Sequence, residues 1–197
     1  MKAPHFLILL GIALFAHSAP AAVSGPAELV RAIVEKVIGQ TKIEHPAGKP
    51  HDPEYLRALF EREISPHLDF DSITRWVAGA RWNQFRTAEQ LVLVNTLRAH
   101  VVRLYASLLA RGSEVNVELK ECTHNTGRSA RVDGTLETDG GKKFAVQFRL
   151  VNNGGVWQLY DLAVDGVSLA RALRADLWPV LRESGIEGLK DYLGARD

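Results

Sequence analysis

The sequence predicts an α+β protein in which helices cover a curved antiparallel sheet of about four strands. Three observations support this fold class. Apolar residues recur at helical spacing over about 26–112, alternate at every second position over about 114–165, and return to helical spacing over about 167–194. Turn signals, among them Asp139-Gly140 and Asn153-Gly154, separate the alternating runs, and such short turns favour a meander over a crossover sheet.

Start and stop signals divide the first region into helices. Asp52 is a predicted N-cap, and Pro53 takes the first helical position of the segment that follows. A short helix is predicted to stop at Gly79, and the spacing of Thr87 and Gln90 fits a capping box at the start of the longest helix. A first amphipathic helix precedes them, with apolar residues at Leu29, Val30, Ile33, Val34, Val37 and Ile38.

The alternating region predicts four strands, and Gly134 marks a possible bulge where the sheet bends. In the fourth strand the period of two places Tyr160 on one face and Asp161 on the other. The C-terminal region predicts a helix with a kink or break at Pro179, then a last short helix from Ile186.

Residues 1–22 have the layout of a cleaved secretory signal peptide: an early cation, a short apolar core and small residues before the cleavage zone. We therefore expect an exported protein with one domain over 23–197. Without Lys2 the formal net charge falls from +1 to zero, which argues against nucleic acid as a partner. The lone Cys122 cannot form an internal disulfide, and we expect a packed thiol.

Catalytic and metal-binding motifs are absent from the sequence. It contains no G-x-S-x-G, no H-E-x-x-H, no phosphate-binding glycine loop and no C-x-x-C. The histidines are scattered, and His100 on the long helix is typical of a core or interface residue. We expect neither a cofactor nor a metal ion.

Two aspartates in the apolar run "VWQLYDLAVDGVSL" allow an enzyme as the alternative. Asp165 precedes Gly166 and is predicted to help cap the helix that starts near Ser168. Asp161 is expected to be a hydrogen-bonded structural residue facing away from the concave side. It could act as a general base only if a bulge reversed the phase of its strand.

Two segments resemble the MlaC, or toluene-tolerance, family. The stretch "YDLAVDGVSLARALRADLWPVLRESGIEGLKDYL" (160–193) is similar to the C-terminal signature of that family, and "FDSITRWVAGARWNQFRTAEQLVLVNTLRAHVVRLYASLL" (70–109) to its helical signature. The resemblance implies a fold like the nuclear-transport-factor cone with an added helical layer. It further implies a periplasmic phospholipid carrier, without a cofactor, that exchanges lipid between an outer-membrane lipoprotein complex and an inner-membrane ABC transporter and so maintains outer-membrane lipid asymmetry.

A hollow between a curved sheet and amphipathic helices would remove acyl chains from water. Burial of apolar surface is favourable by about 25 cal/mol for each Å² removed from water. The possible residues at its mouth or at a docking surface are Arg75, Arg81 and Arg103. The residues expected to line it are Trp76, Val77, Leu97, Val101, Tyr105, Phe144, Val146, Phe148, Tyr160, Leu162, Val164 and Val167.

Other functions remain open at this stage. The same residues could simply fill a core, which would leave a structural partner of a membrane complex. The cargo could be a polycyclic lipid such as a hopanoid. A cone-fold isomerase or dehydratase would need Asp161, or His100 with Tyr160, to point into the cavity.

Overall fold

The structure is a computed structural model that describes residues 25–44, 52–111, 115–138 and 140–195. The helices are α1 (Pro26–Glu44), α2 (Pro53–Glu63), α3 (Phe70–Ala78), α4 (Thr87–Arg111) and α5 (Leu169–Gly194), with short 3₁₀ turns at Ser65–His67 and Gly79–Gln84. The strands are β1 (Val115–Asn125), β2 (Ser129–Thr138), β3 (Lys143–Asn153), β4 (Val156–Val164) and β5 (Val167–Ser168). The α+β class is confirmed. The predicted signal peptide at 1–22 lies outside the described residues.

The sheet is an antiparallel meander in the order β1-β2-β3-β4-β5. It has one strand more than predicted, because the two-residue β5 is too short to show a period in the sequence. β2 stays in register at Gly134, where no bulge occurs. The register shifts lie on the neighbouring β1, between Leu119 and Cys122 and between Cys122 and His124. A Cβ on Gly134 would lie 2.8 Å from the Glu118 carbonyl oxygen, so this glycine permits a close approach of the two strands.

Helix starts and stops agree with the sequence in most places. The Asp52 carboxylate accepts a hydrogen bond from the Glu54 N–H, as an N-cap does, and α3 ends at Gly79 with φ at +55°. The predicted capping box of α4 is displaced by one residue. Glu89, not Gln90, bonds back to a backbone N–H, that of Arg86, at 2.8 Å.

The C-terminal helix breaks at a glycine. Helical backbone geometry continues through Pro179, and the chain leaves it at Gly185, with φ at +67° and ψ at −162°. The sequence predicted a kink or a break at Pro179, and the break lies at Gly185 instead. The last helical segment nevertheless starts at Ile186, as predicted, because only glycine adopts this conformation without strain.

The turn between β4 and β5 also corrects the sequence analysis. Asp165 and Gly166 both have positive φ, at 47° and 80°, as a tight hairpin requires. The Asp165 carboxylate accepts a hydrogen bond from the Ala145 N–H at 2.8 Å and does not cap α5. The N-cap of α5 is Ser168, whose hydroxyl accepts from the Arg171 N–H.

Two main apolar clusters bury the inner faces of these elements. One joins α3, α4 and α5, and fully buried leucines such as Leu97, Leu177 and Leu181 form its centre. The other joins α1 to the sheet through Val30, Val132 and related residues. The clusters meet at Ile64 and Leu68, which pack against both, and a cavity lies in this region.

Candidate functional site

A cavity of about 250 Å³ lies between the helices and the inner face of the sheet. Its wall is almost entirely aliphatic and aromatic, so it favours apolar matter over water. Each of the five helices, the segment between α2 and α3, and the strands β1 to β4 contribute residues to the wall. The lining residues are Ile33, Val34, Val37, Ile38, Phe60, Ile64, Leu68, Ile73, Val101, Tyr105, Val115, Val117, Leu136, Phe148, Leu159, Tyr160, Asp161, Leu162, Leu169, Ala170 and Leu173.

One wall of the cavity is the inner stripe of α1. The spacing of its four lining residues places them on one face of the helix: Ile33, Val34, Val37 and Ile38. A salt bridge ties this helix to α2, because the Lys36 ammonium lies 2.5 Å from the Glu63 carboxylate.

A bulge in β4 forms the opposite wall. Arg149 pairs with Asp161 and Leu150 with Leu159, so Tyr160 is an extra residue on β4. A regular strand would present every second side chain, yet the four consecutive residues 159–162 all line the cavity. The phase of the strand thus changes at Tyr160, and Leu159 and Leu162 both face inward.

The chain before α3 braces this bulge. The Asp69 N–H donates to the Leu159 carbonyl at 2.8 Å, and Leu68 forms an isolated parallel bridge with Leu159. The Asp69 carboxylate in turn caps α3 through the Ser72 N–H and accepts from the Asn153 amide at 2.9 Å. These bonds hold Leu68 at the cavity wall.

Asp161 lies at the bulge and is 8% exposed. One carboxylate oxygen accepts from the Arg149 guanidinium at 3.1 Å, and the other accepts from the Ala170 N–H at 3.0 Å, in the first turn of α5. The expectation of a hydrogen-bonded residue is confirmed, although the bulge also places Asp161 at the cavity wall. Both its oxygens are occupied by structural partners.

Two tyrosines bring phenol groups into the wall. The Tyr105 ring stacks on Phe60, with ring centroids 5.6 Å apart and the planes at 4°. Burial raises the pKa of the Tyr105 hydroxyl, and the negative charge of Asp161 raises it further. Tyr105 is therefore a neutral phenol at every physiological pH.

Five of the twelve residues that the sequence predicted at a pocket line this cavity. They are Val101, Tyr105, Phe148, Tyr160 and Leu162. Their role in ligand binding stays a prediction.

The other seven lie elsewhere among the described residues. Val77 and Leu97 are buried in the cluster of α3, α4 and α5, where an amphipathic helix packs against helices instead of the sheet. Trp76 is 51% exposed and Val167 is 62% exposed. The remaining three belong to β3 and β4 but not to the cavity wall: Phe144, Val146 and Val164.

The three arginines considered for the mouth are also not among the described lining residues. The Arg75 guanidinium lies over the Trp82 ring at 5.4 Å. Arg81 donates to the carbonyl oxygens of Leu181 and Arg182 at 2.9 and 2.6 Å, and so joins the 3₁₀ turn to α5. Arg103 and His100 are half-buried on α4, and neither contributes to the cavity wall.

Sequence reasoning missed the contribution of α1 and of the segment from Phe60 to Leu68. The signal for α1 was present, since its apolar stripe is evident in the sequence. What the stripe packs against depends on tertiary contacts. Phe60, Ile64 and Leu68 follow one another at four-residue spacing, but Pro66 interrupts the helical pattern, and the spacing does not show what these residues pack against.

Within the described part of the chain, no group of three or more His, Cys, Asp or Glu side chains is arranged to hold a metal ion. None of the described helices has the combined length and hydropathy needed to cross a membrane.

The fold and the site together define a class of protein: an α+β module that encloses an apolar cavity between a helical layer and an antiparallel sheet. Within that class, the profile of the MlaC protein family matches residues 32–195. The chain belongs to the MlaC family, as its two signature segments indicated.

Three relatives illustrate the family. The toluene tolerance protein ttg2D of Pseudomonas putida is 20% identical over 161 residues, which span 81% of this chain and 74% of the relative. The intermembrane phospholipid transport system binding protein MlaC of Haemophilus influenzae is 23% identical over 143 residues, or 70% and 66% of the two chains. The phospholipid-binding protein of Ralstonia solanacearum, solved in complex with a phospholipid, has a TM-score of 0.72 at 22% identity, over 85% of this chain and 94% of that one. At this identity the structural likeness supports the fold.

Proposed function

We propose that this protein is a soluble periplasmic carrier that binds a phospholipid with its acyl chains in the cavity. The observation that supports the proposal is the apolar wall that α1, the β4 bulge and the start of α5 form together. Membership of the MlaC family and the names of the relatives point to the same cargo. In this proposal residues 1–22 direct export and are removed.

The carrier takes lipid from one membrane complex and delivers it to another. An outer-membrane lipoprotein complex and an inner-membrane ABC transporter are the proposed partners, and maintenance of outer-membrane lipid asymmetry is the proposed outcome. A carrier of this kind performs no bond change. Asp161 has a structural role in this proposal, because hydrogen bonds from Arg149 and Ala170 fix the positions of both its oxygens.

Loading requires the cavity to expand. Its volume of about 250 Å³ is below the roughly 300–1,000 Å³ of ordinary small-molecule sites. Two acyl chains therefore need the helical layer and the sheet to move apart. We propose that α1 is the wall that yields, since it meets the sheet through side-chain packing while the β4 wall is held by backbone hydrogen bonds.

The first experiment is native mass spectrometry of the mature protein purified from a bacterial periplasm, followed by lipid extraction. The expected result is a mass excess of one or two phospholipids that is lost on denaturation. A polycyclic lipid in the extract would replace the phospholipid as cargo. A bare mass from protein never exposed to detergent would contradict the carrier proposal.

A pair of variants on α4 tests whether the cavity holds the cargo. Val101 is 2% exposed and lines the cavity, while Leu91 is 61% exposed on the same helix. We expect Val101→Trp to fill the cavity and lower the bound lipid on the order of tenfold, and Leu91→Trp to leave it unchanged. Equal lipid in both variants would place the cargo outside this cavity.

A further inference from the structure

The wall of the cavity is apolar except where Tyr105, Tyr160 and Asp161 line it. Acyl chains alone need no polar partner, and polar groups in an apolar wall disfavour them unless they are satisfied. Asp161 is held as a buried charge, with a side chain only 3% exposed. The Asp161 carboxylate and the Tyr105 phenol are therefore polar groups of the wall to which plain acyl chains offer no hydrogen bond.

The two groups are complementary in hydrogen bonding. Among the described residues, the Tyr105 hydroxyl makes no hydrogen bond, so its proton is available as a donor. The two bonds that Asp161 accepts use one lone pair on each oxygen, and each carboxylate oxygen has two. Both residues line the same cavity, and Asp161 lies near enough for its charge to raise the pKa of Tyr105, so one small polar group in the cavity can accept from the phenol and donate to the carboxylate.

Both groups are held in position. Stacking on Phe60 sets the plane of the Tyr105 ring. Bonds from the Arg149 side chain and the Ala170 N–H set the two oxygens of Asp161. Preorganised partners of this kind give selectivity, because a ligand does not have to order them on binding.

We propose that Tyr105 and Asp161 form a polar subsite inside the cavity that binds a neutral hydroxyl group on the apolar part of the lipid. This inference rests on the proposed function, since it specifies the class of lipid that the same cavity carries. The Tyr105 O–H donates to the hydroxyl oxygen of the ligand, and the hydroxyl proton of the ligand is donated to Asp161.

The chemistry of the pair excludes other groups. The pKa of Tyr105 is raised by burial and by Asp161, so the phenol remains a donor and carries no charge. A carboxylate on the ligand would face the negative charge of Asp161 at low dielectric and is disfavoured. A ketone could accept from Tyr105 but has no proton to donate to Asp161. A hydroxyl uses both partners.

The test compares the affinities of two lipids for the intact mature protein. One is distearoyl phosphatidylglycerol, and the other is the same lipid with a hydroxyl group on one stearoyl chain. The hydroxyl is placed at a different carbon in each member of a series, because the bound position of the chain determines which carbon lies beside the subsite. We expect the best-matched hydroxy lipid to bind about three- to tenfold more tightly than the unsubstituted lipid. Tyr105→Phe should remove this preference, measured as the ratio of the affinities of that variant for the two lipids.

Two further variants make the comparison specific. Tyr192 donates to Asp176 on α5 and does not line the cavity, so Tyr192→Phe is a matched loss of a hydroxyl and should retain the preference. Tyr160→Phe removes the other phenol of the wall and should also retain it. Loss of the preference in Tyr160→Phe but not in Tyr105→Phe would overturn the assignment.

The outcomes separate the two proposals. Equal affinity of the wild-type protein for the distearoyl lipid and for every member of the hydroxy series overturns the subsite and leaves the phospholipid carrier intact. Failure of both lipids to bind overturns the carrier, and the subsite with it.

Discussion

Asp161 links three parts of the molecule through a single side chain. It accepts from Arg149 on β3 and from the first turn of α5, and it borders the cavity. A carboxylate near the start of a helix also interacts favourably with the helix dipole. This position exists only because β4 has an extra residue beside it, at Tyr160.

Replacement of Asp161 by alanine should lower the free energy of unfolding by about 2 kcal/mol, because two hydrogen bonds to a charged group are lost. Asp133 is the matched control, since its side chain on β2 is 25% exposed and accepts from Gln147 at 3.0 Å. We expect Asp133→Ala to cost less than about 1 kcal/mol. Urea denaturation measures both values, and equal costs would contradict a structural role for Asp161.

Replacement of Gly134 by alanine should lower the free energy of unfolding, whereas replacement of Gly39 by alanine should raise it. A Cβ at Gly134 would lie 2.8 Å from the Glu118 carbonyl, and backbone cannot move away easily, so Gly134→Ala should destabilise by about 2 kcal/mol. A Cβ at Gly39 in α1 meets nothing within 4 Å, so Gly39→Ala should stabilise by about 0.5–1 kcal/mol. Thermal and urea unfolding report both signs, and a neutral Gly134→Ala would show that β1 and β2 are not in close contact there.

At the scale of elements, α1 is a wall of the cavity that is attached to its neighbours through side chains. Its inner stripe packs on the sheet, and a charge cluster joins it to α2. Glu63, which is 5% exposed, receives Lys36 from α1 and Arg62 from its own helix, each at 2.5 Å. Hydrogen bonds from these two cations lower the pKa of Glu63.

The attachment of α1 should therefore depend on pH. Because the pKa of Glu63 is lower in the folded protein than the value of about 4.3 in the unfolded chain, its contribution to stability is complete above that value. The contribution is lost as the pH falls through the folded pKa. We expect the wild-type protein to be more stable than Glu63→Gln at neutral pH and the two to converge at acidic pH, as measured by urea unfolding and by hydrogen exchange in α1.

Glu54→Gln is the control for this titration. Glu54 also pairs with an arginine, Arg57 at 2.5 Å, but its side chain is 70% exposed. Such surface pairs contribute little. A difference between wild type and Glu63→Gln that stays constant from neutral pH down to about pH 3 would mean that the charge of Glu63 does not hold α1.

At the scale of the whole molecule, the cavity lies where the helices meet the sheet, and these two layers are held together by different contacts. The sheet is continuous through backbone hydrogen bonds, and α3, α4 and α5 share a buried cluster. α1 belongs to a separate cluster with the sheet. Movement of α1 away from the sheet, within this second cluster, would open the cavity without breaking the sheet.

A disulfide from α1 to the sheet should therefore block lipid exchange. The native Cys122 on β1 and Ala27, Val34 and Val37 of α1 pack against the same apolar cluster, so the test introduces one cysteine at a time at these three positions and selects those that pair with Cys122 on oxidation. We expect the oxidised protein to retain its lipid while transfer between vesicles stops, and reduction to restore transfer. The same variants in a Cys122→Ser background are the control, and unimpaired transfer by the oxidised protein would remove α1 as the moving wall.

Much of this architecture follows from local patterns. The strands, the Asp52 cap and the glycine stop at Gly79 are read from spacing and turn chemistry, because they depend on residues near in sequence. Pro179 signals a kink or a break through its local chemistry, but the backbone remains helical there and leaves helical geometry at Gly185.

The candidate site was predictable only in part. An amphipathic stripe identifies which residues turn inward but not what they meet, so Val101 borders the cavity while Leu97, four residues earlier on α4, packs against other helices. The β4 bulge has no local signature, because Tyr160 becomes an extra residue only through its pairing with β3.

The sequence by itself determined the fold class, the family and the apolar character of the inner faces, because periodicity and signature segments are properties of the chain alone. Only the tertiary structure decided which apolar residues enclose a cavity and that Asp161 faces it. These depend on the register between strands and on the distance between layers, and both are set by contacts between residues far apart in sequence.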